Sequence, residues 1–208
     1  MTGVDEVMAL EQAPPKAPPA GRPPAPGGLG RVQAFVNTID LESGTDELDR
    51  PEALATWLVD HGLPGGDCSL GDGDLARARA VREAVREILG GNAGHAVDPG
   101  AIALLDDTAV AAPLAVTFGL GARPTLVPAG RGLDAALGAL LADIATAVAD
   151  GTWTRLKTCR NDACRWAYWD GSKNRSGAWC TMAVCGNQMK GRAYRRRRRA
   201  DAGDTGSD

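Results

Sequence analysis

Apolar residues recur at helical spacing through much of the first 150 positions. From Asp74, DLARARAVREAVREILGG sets Leu75, Ala78, Val81, Val85 and Leu89 three and four apart. This spacing predicts an amphipathic helix whose Arg and Glu residues face water and which Gly90 and Gly91 stop. PEALATWLVDHG carries a shorter stripe, Leu54, Trp57 and Leu58, with Pro51 in its first turn and Gly62 behind its last. Asp98–Pro99 reads as a cap and first turn for GAIALLDDTAVAA. Gly132 to Asp150 reads as a long Ala/Leu helix burying Leu133, Leu137, Leu140, Leu141, Ile144 and Val148. PLAVTFGL and ARPTLVPAG are β-branched runs punctuated by Gly and Pro, the two strands of a small sheet. In RVQAFVNTIDL, Val32, Ala34 and Val36 alternate with polar neighbours, which predicts a short strand and places the onset of order near Arg31. The fold class expected for residues 31–150 is α+β, mostly helical with a small sheet.

Composition sharpens this picture at both ends. Residues 11–30 contain seven prolines, so residues 1–30 are expected to be a disordered, extended lead, and residues 200–208 a disordered tail. No uncharged run of about 18 apolar residues exists. The opening MTGVDEVMAL has two acids and no basic stretch, and the expected location is cytoplasmic. The net charge of −3 over 208 residues conceals a division. Residues 1–150 hold 10 basic and 21 acidic side chains, whereas residues 151–208 hold 13 and 5. Six of the nine aromatic residues and four of the five cysteines also lie beyond Gly151, which marks it as a domain boundary.

A search for catalytic groups in the first segment assembles none, and no enzymatic role is expected. His61 and His95 stand next to glycines at element ends. Asp67, Asp72 and Asp74 lack the closing Glu of a calcium loop, and Cys68 stands alone. The chemistry concentrates instead in Cys159, Cys164, Cys180 and Cys185, spaced C-x4-C-x15-C-x4-C. Two close pairs joined by a loop supply the two edges of a tetrahedron around one ion. Disulfides are the weaker reading for a cytosolic chain. An iron–sulfur cluster would also accept four thiolates, but one Zn2+ suits this small basic module better. Four sulfur ligands leave no open position, so the zinc would be structural.

The surrounding residues are distinctive: Arg155–Leu156–Lys157, then Tyr168–Trp169–Asp170–Gly171–Ser172 and Asn174–Arg175–Ser176. Trp179–Cys180–Thr181–Met182, Cys185–Gly186–Asn187 and Lys190 follow. At this spacing the segment resembles the CGNR zinc finger, a knuckle, a hairpin and a basic helix, with the finger and its helix placed at 151–199. Gln188 stands where the family motif has Arg, and it lacks the fixed charge. Residues 31–150 resemble a short ABATE domain, a family described as stress-induced transcription regulators. Phe35–Val36–Asn37–Thr38–Ile39–Asp40 and Leu126–Val127–Pro128–Ala129 carry that likeness. The resemblance implies a bacterial DNA-binding regulator whose N-terminal domain senses a signal or mediates assembly, and it brings no catalytic residues.

Charge alone points the same way. From Arg155 to Arg199 there are 13 basic residues against Asp162 and Asp170, a net of +11. A zinc tetrathiolate lowers this by two, leaving a density suited to polyphosphate. The candidate nucleic-acid contacts are Arg165, Lys173 and Arg175 in the knuckle and hairpin, then Gln188, Lys190, Arg192, Arg195, Arg196, Arg197, Arg198 and Arg199. An arginine run that shows charge on every face favours phosphate clamping over base reading. DNA is the expected partner; the alternative is an adaptor gripping RNA or an acidic protein.

Overall fold

The computed structural model describes residues 22–118 and 124–204. Of the disordered lead expected over 1–30 and the tail expected over 200–208, residues 1–21 and 205–208 lie outside the described residues, and 200–204 are helical. Order starts earlier than Arg31. Ala25 is buried, its backbone N–H donates to Gln33 Oε1 at 2.7 Å, and Arg22 reaches across to the cysteine-rich segment.

The segment expected as a strand is a helix, α1 (Leu29–Val36), which buries Leu29, Val32, Phe35 and Val36. Those four positions follow the helical repeat. The alternation of Val32, Ala34 and Val36 coincides with it over too few residues to discriminate. The other helices stand where their stripes predict: α2 (Pro51–Asp60), α3 (Asp72–Asn92), α4 (Pro99–Ala111) and α5 (Gly132–Ala149). Asp98 caps α4, accepting from Gly100 N–H at 3.0 Å. β1 (Leu114–Phe118) and β2 (Pro124–Pro128) pair antiparallel, Leu114 opposite Pro128, and β2 lies on α5. By length and composition alone α5 could cross a membrane. In this fold it is the central core helix, contacting α1, α3 and α4, with Leu133, Leu137 and Leu140 buried. Val148, expected on its buried side, is exposed, and Ala136, Ala139 and Ala147 complete that side instead.

Two expectations for α3 are corrected. Gly90 and Gly91 do not stop the helix; they form its last turn. A β-carbon on Gly91 would meet Val97 Cγ2 at 2.7 Å, and one on Gly90 would touch Thr158 Oγ1 at 3.6 Å, so these glycines permit close packing. The chain turns away at Gly94, whose φ of +88° suits a residue without a side chain. Nor do all the arginines of α3 face water: Arg82 and Arg86 are buried along with the apolar stripe.

After a 3-10 turn at Trp153–Arg155, β3 (Leu156–Thr158) pairs antiparallel with β4 (Ala167–Trp169). This hairpin packs on α3 and α1, and Leu156 and Ala167 belong to the same apolar cluster as Val32, Leu89 and Leu137. A π-helical turn, Met182–Gly186, then runs directly into α6 (Asn187–Asp204). The molecule is therefore a mostly helical α+β body with two small two-stranded sheets, followed by a cysteine cluster and a basic helix.

Candidate zinc centre and basic helix

Cys159 leaves the end of β3, Cys164 lies in the turn before β4, Cys180 precedes the π-helical turn and Cys185 lies within it. The first knuckle closes through Cys164 N–H to Asn161 O at 2.8 Å and Cys159 N–H to Trp166 O at 2.9 Å, with Arg165 in the left-handed region at φ +43°. The second is capped by Thr181, whose Oγ1 accepts from Val184 N–H at 3.2 Å, and closed by Gly186 N–H on Thr181 O at 3.0 Å. All four sulfurs are buried and lie within 4.8 Å of one another. Cys164 and Cys180 Sγ are 3.7 Å apart, and Cys180 and Cys185 Sγ 3.6 Å. A disulfide would need about 2.05 Å. A tetrahedron of sulfurs each about 2.3 Å from Zn2+ has edges of about 3.8 Å.

The donor set also suits a cation. Hydrogen bonds from Cys164 and Cys180 hold the Cys159 thiol down at about 2, while the contact with Cys159 pushes Cys164 up to about 12 and contacts with both raise Cys180. Four sulfurs this close cannot all ionise by themselves, and a divalent ion lets them do so. The site fits one structural zinc held by Cys159, Cys164, Cys180 and Cys185. Zinc bound there supplies cross-linking and no open position for chemistry. Asn161 steadies the shell: its Nδ2 lies 3.6 Å from Cys185 Sγ and 3.4 Å from Gln188 Oε1. Trp166 and Tyr168 pack around the cysteines with Trp179 alongside, so these rings build the module's own core.

Beside the sulfurs lies a second organising group. Asp170 is fully buried and accepts from Lys157 Nζ at 2.8 Å, Ser172 N–H at 3.1 Å, Ser172 Oγ at 2.7 Å and Gly177 N–H at 2.8 Å. Burial alone would raise its carboxyl; Lys157 and the three Ser172 and Gly177 donors more than reverse this and hold it well below the usual carboxylate range. The carboxylate fastens the 171–177 loop to β3.

The docking residues carried no sequence signal of their role. Asn37 brackets Ala167, accepting its N–H at 2.8 Å and donating to its carbonyl at 2.9 Å. Asn92 Nδ2 donates to Trp153 O and Leu156 O, and Arg160 Nε to Ala93 O at 2.8 Å. Arg86 donates to Val36 O and to Arg165 O. Arg22 hydrogen-bonds Trp179 O at 2.8 Å and Cys180 O at 2.9 Å, and its guanidinium lies over the Tyr168 ring. Only Asn37 stood in a quoted motif, and its partner lies 130 residues away.

The candidate nucleic-acid residues separate into groups. Lys173 and Arg175 are exposed in the hairpin loop. Gln188, Lys190, Arg192, Arg195, Arg196 and Arg198 are exposed on α6, and Arg197 and Arg199 lie on the same helix. Arg165 stands apart: it is half-buried and pairs with Glu87 of α3 at 3.1 Å, so its charge faces the helical body. Gln188, in place of the family Arg, turns its Oε1 toward Asn161.

Comparison with known families agrees with this geometry. The ABATE model, described as "Putative stress-induced transcription regulator", matches residues 30–151. The CGNR zinc finger model matches residues 155–198. No curated protein matches the chain. With more than half its length matched by the first model and its cysteine cluster by the second, the chain belongs to the ABATE family and carries a CGNR zinc finger behind that domain.

Proposed function

We propose that this protein is a bacterial, cytoplasmic DNA-binding transcription regulator, not an enzyme, whose zinc finger delivers α6 to the DNA backbone and whose ABATE domain senses a signal or mediates assembly. The observation that carries this reading is the continuity of Cys185, the π-helical turn and α6: a zinc ligand sits within one turn of a helix bearing Lys190, Arg192 and five successive arginines. The zinc fixes where the helix starts. Lys190, Arg192, Arg195, Arg196 and Arg198 are exposed along the helix, whose main packing partner among the described elements is the turn that launches it. Such an array neutralises phosphates and releases condensed counterions. The regulator family description supports DNA over an acidic protein as the polyanion.

A titration of the full chain on duplex DNA at several salt concentrations tests this. With about six to eight phosphates contacted, log K falls against log[salt] with a slope of about −5 to −7. Changing Arg195 through Arg199 to Gln flattens the slope by about 4. Binding to RNA or heparin that outcompetes every duplex, or a slope indifferent to the five arginines, overturns the reading.

A further inference from the structure

Phosphates are alike in every sequence, so a helix clad in arginine holds DNA without choosing a site. If this protein binds DNA as proposed above, its discrimination needs a different surface, and the structure offers one immediately before α6. The π-helical turn exposes two apolar side chains, Met182 at 49% and Val184 at 50%, with Ala183 exposed between them. Met182 and Ala183 line a groove of about 480 Å3 shared with Trp169 and Ser172. The turn is held at both ends. Cys180 and Cys185 are zinc ligands, Thr181 caps the turn, and Met182 lies over Gly186, where a β-carbon would come within 2.7 Å of Met182 Sδ. Exposed Lys173 and Arg175 and the cations of α6 provide the charge that would press this apolar tip against a polyanion.

We infer that the zinc-anchored turn reads DNA through thymine methyl groups in the major groove, with Val184 and Met182 making the contact while α6 clamps the backbone. The chemistry favours this one feature. Of the groups displayed on base-pair edges there, the thymine C5-methyl is the apolar one, and it is what aliphatic side chains recognise. The exposed face of the turn offers methyl and thioether groups and no charged side chain. With about half of each side chain packed against the module, the tip is short and fixed, suited to touching an edge and not to prising bases apart.

The test uses duplexes selected by the full-length zinc-loaded protein from a random pool. Replacing each thymine by deoxyuridine removes only the methyl group. The expected result is a loss of about fourfold in affinity at each contacted position, disappearing at the position Val184 touches in Val184→Ala, whose zinc content and salt slope match the parent. Arg195→Gln instead weakens thymine and deoxyuridine duplexes equally. Selected duplexes that lack a recurrent thymine, that tolerate deoxyuridine throughout, or whose preference survives Val184→Ala at every position overturn the inference while leaving backbone binding intact. Failure to retain any duplex overturns the DNA reading itself.

Discussion

Lys157 and Asp170 show how much one buried pair governs. Both side chains are within the finger, 7% and 0% exposed, and are satisfied by each other and by the 171–177 loop, with Arg22 Nη1 a further 3.9 Å from Asp170 Oδ1. Removing one charge strands the other, and Asp170→Asn is expected to cost about 3–5 kcal/mol at neutral pH by urea unfolding. The folded carboxyl titrates below its ordinary value, so its stabilisation is complete above the unfolded-state pKa near 4 and fades as pH falls through the lower folded value. The gap between parent and variant should therefore hold steady from pH 8 to about 5 and narrow only below about 4. Arg86 offers a second case. It is 1% exposed, burial pulls its pKa down while Glu83 opposes, and its hydrogen bonds reach both Val36 O and Arg165 O. Arg86→Met frees the carbonyls of Val36 and Arg165 and leaves Glu83 to Arg82 alone, and a loss of about 2–4 kcal/mol in the same assay is expected. Neither role was legible in the sequence. Lys157 stood in a family motif and Arg86 in a charged stripe, but burial of a long cation depends on what packs over it from far along the chain.

At the scale of elements, local pattern was informative where it was long. The 21 residues of α3 give the apolar repeat enough turns to be unambiguous, whereas α1 has eight, too few to separate alternation from helical spacing. Proline at the first turns of α2 and α4 marked their starts correctly. The two-glycine stop failed because both residues sit in the helix's last turn, where Gly91 at least answers a tertiary contact, a β-carbon there meeting Val97 Cγ2 at 2.7 Å. The metal site was fully legible, since tetrahedral coordination is encoded in ligand spacing. Its energetic reach was not. A chelator removes a cross-link worth of order 10 kcal/mol in comparable modules, and the π-helical turn and α6 depend on it. Circular dichroism and limited proteolysis should show α6 and the 171–190 region lost first. Because Leu156 and Ala167 share the main apolar cluster, the melting temperature of the helical body should fall as well. A proteolytic pattern and melting curve unmoved by chelation would remove the metal from its structural role.

At the scale of the molecule, two family segments form one body. The composition break at Gly151 separates an acidic helical part from a basic zinc-bound part, yet the apolar cluster runs across it, and Asn37, Arg86, Asn92 and Arg22 lock the two with hydrogen bonds to backbone. Charge was readable in advance as a division; the shared core was not, because the hydrogen bonds that lock its two sides link residues from 61 to 158 positions apart. Among the described residues no ion pair joins α6 to the acidic part. If the protein binds DNA as proposed, the cations of that helix are left to attract it. The shared core also bears on transplantation. This finger is no portable cassette: grafted onto another carrier, it would bring its zinc but leave Ala167, Leu156 and the Arg165 carbonyl without their hosts, and an exchange of fingers between relatives should succeed only when the receiving α1 and α3 travel with the graft.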